Sequence, residues 1–87
     1  MTVRLSDSSK KYLKKLDKHT AKLIAGYLHK IEKLQNPRSQ GKCLVGDLSN
    51  LWRYRCGDYR ILCNIQDDVL EILVVKIGHR REVYKRS

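Results

Sequence analysis

Three features of the 87-residue chain predict an α+β fold. Apolar side chains in the first 36 residues recur at helical three- and four-residue steps, whereas residues 51–77 favour strand-like runs. Two-residue gaps holding Gly or Asp divide those runs into three. The expectation is a single small domain, residues 1–87, with a helical hairpin packed on one face of a mostly antiparallel sheet.

Thr2–Leu5 alternates and predicts a short first strand. Ser6 or Asp7 can cap a helix that turns Tyr12, Leu13 and Leu16 inward. Asp17 is the next cap. After it, Leu23, Ile24, Tyr27, Leu28, Ile31 and Leu34 form an amphipathic stripe on a helix of about five turns. Asn36-Pro37 should end that helix, since the residue before proline is pushed out of helical geometry. Arg38–Asn50 reads as a loop with a short extended piece at Cys43–Val45. Three strands follow, Leu51–Cys56, Tyr59–Gln66 and Val69–Ile77, giving the order β-α-α-β-β-β. A basic tail begins after Gly78.

Apolar residues are 41% of the chain, enough for a small core and too many for a disordered segment. Lys+Arg outnumber Asp+Glu by 19 to 9, a formal charge of +10, so one sign dominates the surface and favours polyanionic partners. No apolar run reaches the length of a membrane span, and the N-terminus lacks a signal-peptide core, so no membrane partner and a cytoplasmic location are expected. Cys43, Cys56 and Cys63 lack metal-binding spacing, and His19, His29 and His79 are scattered; neither a metal nor another cofactor is expected. Eight of the eleven lysines fall in residues 1–36, and seven of the eight arginines in residues 37–87. Arginine is a planar fork suited to phosphate, so the second half is where a site is sought.

The Gly57-Asp58 turn fixes a register. Cys56 then faces Tyr59, Arg55 faces Arg60, and Arg53 shares their side of the sheet. The other side carries Trp52, Tyr54, Tyr59, Ile61, Cys63 and Ile65, with Leu70, Ile72 and Val74, for the helices to cover. Leu62, Leu73 and Val75 are left on the arginine side, where a partner or the C-terminal tail would cover them. Like charges opposed on a sheet are unfavourable. The arginines are either solvated or part of a polyanion site, and Arg80 and Arg81 return to the same rim with His79 and Tyr84. Such a rim has the parts for phosphodiester chemistry on RNA. Arginines stabilise the pentavalent phosphate, a histidine moves a proton near neutrality, and an aromatic ring stacks on a base.

The motifs LWRYRCGDYRI at 51–61 and IGHRREVY at 77–84, following two helices, resemble the RelE toxin family of the RelE/ParE toxin–antitoxin superfamily. The resemblance implies a β-α-α-β-β-β fold with a curved sheet. It also implies ribosome-dependent, metal-independent endoribonuclease activity, with messenger RNA cleaved by 2′-hydroxyl attack and translation inhibited. Site residues carried over by the resemblance are Arg53, Arg55, Arg60, Arg80 and Tyr84; Arg81 joins the RNA-binding set. Relatives of the best-studied type carry lysines at the positions of Arg53 and Arg55, one of them assigned as a base. Arginine cannot give up its proton near pH 7, so His79 becomes the candidate base.

Two alternatives share this fold: a ParE-like inhibitor of DNA gyrase and a catalytically inactive relative. The partners implied are a cognate acidic antitoxin, the ribosome with its messenger RNA, and operator DNA only through the antitoxin complex.

Overall fold

The structure is a computed structural model, described here for residues 1–48 and 50–84; the last three residues of the expected basic tail lie outside the described residues. The elements are β1 (Thr2–Leu5), α1 (Asp7–Lys15), α2 (Lys18–Glu32), β2 (Lys42–Cys43), β3 (Trp52–Cys56), β4 (Tyr59–Gln66) and β5 (Glu71–His79), with 3₁₀ turns at Pro37–Ser39 and Gly46–Leu48. One mixed sheet runs in the order β1-β5-β4-β3-β2, in which only β1 and β5 pair in parallel.

Ser6 caps α1, its hydroxyl accepting the Ser9 N–H, and Asp17 caps α2 through the Thr20 N–H. The buried line of α2 is Ile24, Leu28 and Ile31, at helical i, i+4, i+7 spacing. These side chains close a core with Tyr54, Ile61, Cys63, Ile72, Val74 and Ile77 from the sheet. Leu23, expected in the stripe, sits on the flank of that line and is 56% exposed. The helix also stops at Glu32, four residues before Asn36-Pro37. The reason lies in the sheet. Pro37 is buried, and its carbonyl accepts the Tyr54 hydroxyl at 2.6 Å, so the chain must leave the helix early to bring Pro37 inward.

The extended piece expected at Cys43–Val45 is β2, one residue earlier, pairing Lys42 with Arg53 and Cys43 with Trp52. A larger departure is the β4–β5 connection. Asp67-Asp68 supplies no glycine for a two-residue turn. The chain instead spends four residues, with Leu70 at φ 54° and its carbonyl accepting the Thr2 N–H. Leu70 is therefore exposed rather than in the core.

β5 also carries a bulge. Leu62 pairs with Lys76 but Cys63 with Val74, which leaves Val75 as the extra residue. Strict alternation through Ile72 and Val74 would send Lys76 under the helices and Ile77 out. The bulge reverses the phase: Ile77 enters the core and Lys76 is exposed. Helix α1 docks at this point. The Ser6 N–H and Ser9 hydroxyl both donate to the Val74 carbonyl, and the Ser6 hydroxyl reaches that of Val75. At the neighbouring β1 margin of the sheet, the Val3 N–H donates to Glu32 Oε2 at 2.8 Å. Among the described residues no helix is long and apolar enough to cross a membrane.

Candidate nucleic-acid interface

The β3–β4 hairpin has the predicted register: Cys56 opposite Tyr59, Arg55 opposite Arg60, Arg53 opposite Leu62. Gly57, at φ 59°, is the first central residue of the turn, where a type II′ geometry favours glycine. The helices cover the Tyr54 face, so Arg53, Arg55 and Arg60 point to the other side.

The three arginines differ in environment. Arg55 is exposed, Arg53 half-buried and Arg60 buried. Arg60 Nη1 donates to the carbonyls of Gly57 at 2.9 Å and Tyr59 at 3.1 Å. Those carbonyls offset the repulsion expected from Arg55 and fix the guanidinium at the turn. Arg53 Nη1 lies 3.5 Å from the Tyr84 hydroxyl, while its Nε is buried without a hydrogen-bond partner among the described residues.

The C-terminal segment returns over this open face. Its first turn is closed by the Glu82 and Val83 N–H groups donating to the His79 carbonyl. Val83 is buried against Gly78, which pairs with Arg60 and so presents the same face. This return explains why Leu62, expected on an uncovered surface, is only 2% exposed. The Arg80 N–H donates to the Asp58 carbonyl at 2.7 Å, and Arg80 Nε lies 3.9 Å from Asp58 Oδ1, on an exposed rim. The Arg81 side chain is exposed.

His79 is placed differently from the expectation. It pairs with Tyr59 on the helix side, its ring edge-on to that tyrosine with centroids 5.8 Å apart. Gly78 faces the arginines, and the next residue along a strand must face away. His79 Nδ1 accepts the Arg81 N–H at 3.3 Å, so the neutral ring carries its proton on Nε2. An imidazole so arranged is poorly set to remove a proton.

Lys42, opposite Arg53, and Lys76, opposite Leu62, also belong to the arginine face. The parity of Lys42 was hidden in an apparent loop and that of Lys76 by the bulge. Asp58 as the anchor of Arg80 was equally unforeseen, although it lies in the turn to which the last strand returns. Burial pushes the Cys56 thiol up and that of Cys63 up to about 12, so neither is a ready nucleophile. Among the described residues no three His, Cys, Asp or Glu side chains gather as a metal site.

A helical hairpin over a mixed five-stranded sheet, with cations on the open face, defines a small α+β toxin fold of the RelE/ParE superfamily. The chain belongs to the ParE toxin family of type II toxin–antitoxin systems: the family model described as "ParE toxin of type II toxin-antitoxin system, parDE" matches residues 3–84. Toxin RelG of Mycobacterium tuberculosis (strain ATCC 25618 / H37Rv) is 26% identical over 85 residues, 98% of this chain and 97% of that protein. Among solved structures, a chain of the toxin–antitoxin complex RelBE2 from Mycobacterium tuberculosis is 25% identical, with a TM-score of 0.81 over 91% of this chain and 96% of that one. The archaeal RelE–RelB complex from Pyrococcus horikoshii OT3 shares the fold at 24% identity and a TM-score of 0.71, covering 94% of this chain and 97% of that one.

Proposed function

We propose that this toxin is a cytoplasmic, ribosome-dependent endoribonuclease that cuts messenger RNA without a metal. The observation that carries the reading is the assembly of Arg53, Arg55, Arg60 and Tyr84 on one face, with Arg80 at its rim. RNA supplies its own nucleophile, the 2′-hydroxyl. The protein must orient it in line with the adjacent phosphate and stabilise the charge that accumulates there. Arg60, held by the turn carbonyls, is the preorganised cation for the phosphate, and Arg80 approaches from the rim. Arg53, Arg55 and Arg81 bind the flanking chain. Tyr84, beside Arg53, stacks on a base or positions the phosphate. His79 orders the tail through Nδ1, and its ring lies on the helix side against Tyr59, away from the reacting phosphate. Among the described residues, no group on this face is a strong base near pH 7, so the reading requires the ribosome to set the geometry.

Relatives of known structure occur in complexes with RelB antitoxins. For this chain, we infer a cognate acidic antitoxin attracted by the +10 charge, with operator DNA engaged only through that complex. The family description keeps a second reading open, inhibition of DNA gyrase as in ParE-like toxins. One pair of assays separates the readings. Purified toxin is added to ribosomes programmed with messenger RNA, and to gyrase with relaxed plasmid. Cleavage within the translated frame, reduced about a hundredfold or more by Arg60→Ala, is expected. Intact messenger RNA together with blocked supercoiling would overturn the nuclease reading.

A further inference from the structure

The pairings across β2, β3, β4 and β5 place Lys42, Arg53, Leu62 and Lys76 in one row on the open face. Neighbouring strands are about 4.8 Å apart, so the row spans about 14 Å at backbone level, and long side chains extend its reach. A second row, Arg55, Arg60 and Gly78, runs parallel to it about 6.6 Å along the strands. The first row has cations at both ends and near its centre, and Leu62 between them is buried under the returning C-terminal segment. Glu71, further along the same face, is engaged by Arg4 at 3.2 Å. The Val75 bulge is what turns Lys76 to this side; without it Lys76 would enter the helix-covered core.

We propose that Lys42 and Lys76 are the phosphate-binding ends of a single-stranded RNA track that crosses the strands, gripping nucleotides on either side of the phosphate that faces Arg55 and Arg60. The proposal rests on the endoribonuclease reading and names the path its substrate takes. A linear polyanion matches a row of spaced cations, and a row perpendicular to the strands leaves Arg55 and Arg60 of the second row to meet the reacting phosphate, Gly78 being covered by Val83. The lysines act on binding and positioning and take no part in proton transfer.

The test measures binding of a short 2′-O-methyl oligoribonucleotide, which cannot be cleaved, across a range of salt concentrations. For the K42Q/K76Q protein, the slope of log K against log salt should fall by about 1.4, since each single-strand phosphate contact contributes about 0.7. On programmed ribosomes KM should rise while kcat stays within about twofold, the pattern of lost uniform binding. The K42R/K76R protein should recover the wild-type slope. An unchanged slope for K42Q/K76Q, with its fold intact by circular dichroism, would overturn the track. So would an unchanged slope accompanied by weaker binding of an acidic antitoxin peptide, which would assign the lysines to a protein partner. Failure of the wild-type chain to cut messenger RNA would instead remove the nuclease reading, and the oligoribonucleotide slope would still report on the track.

Discussion

Replacing Gly78 by alanine tests how the C-terminal segment is held over the arginine face. Gly78 has no left-handed backbone conformation that demands glycine; what excludes a side chain is Val83. A methyl group at Gly78 would stand 3.1 Å from Val83 Cβ, 3.2 Å from its Cα and 3.3 Å from its Cγ2. These atoms are backbone or β-branched and yield poorly. Keeping the segment in place would cost about 1–3 kcal/mol of overpacking. Releasing it would expose Val83, at about 1.5–3 kcal/mol for a valine-sized side chain. The protein takes whichever is smaller, so the expected loss is about 2 kcal/mol. A domain of this size converts each kcal/mol to about 4–8 °C, so Tm should fall by about 8–16 °C. Calorimetry measures the shift, and hydrogen exchange at Glu82 and Val83 shows whether their bonds to the His79 carbonyl have opened. If release is the route, the G78A/V83A protein should be little less stable than the worse single variant, because both act through one event. A Tm within about 2 °C of wild type, with Val83 still protected, would refute the reasoning.

At the bulge, Ser9→Ala removes a buried hydroxyl, but the Val74 carbonyl keeps the Ser6 N–H at 2.9 Å. Denaturant melts should therefore show a loss of about 1 kcal/mol, the value of a net hydrogen bond and below that of an orphaned carbonyl. Asp17 and Asp67 are held below the usual carboxylate range, chiefly by side-chain hydrogen bonds with Thr20 and Arg38. A lowered folded pKa gives stability that is present above the unfolded value near 3.8 and lost as pH falls through the folded one. The Tm difference between wild type and either D17N or D67N should accordingly shrink below about pH 4, and a difference that grows on acidification would contradict the assignment. The Cys63 thiol, pushed up to about 12 by burial, should resist iodoacetamide in the native protein at pH 8, while exposed Cys43 is labelled. Peptide mass mapping distinguishes the two, and equal labelling would refute the burial argument.

Local signals sufficed for much of this fold. The caps at Ser6 and Asp17, the Gly57-Asp58 turn and the Arg55–Arg60 opposition follow from chemistry within a few residues. What escaped depends on partners distant in sequence. The early end of α2 follows from Tyr54 needing the Pro37 carbonyl, and the position of Leu70 from a bond to Thr2. The Val75 bulge has no composition of its own; it shows only as the mismatch between a period-two pattern and a core that takes both Val74 and Ile77. The candidate site inherits this division. The arginines on β3 and β4 were legible because one turn fixes them. His79 and Lys76 were not, since their faces depend on where β5 changes phase.

Glu32 bears on a hazard common to sheets. A margin strand offers unpaired amides to any extended segment, including another molecule of the same protein. The outward Val3 amide is already taken by the Glu32 carboxylate, a charged-acceptor bond of the stronger kind. A strand arriving at β1 would have to dislodge that carboxylate and leave an anion without its donor. The opposite margin, β2, is only two residues long and carries Lys42. Both borders therefore discourage polymerisation by strand addition.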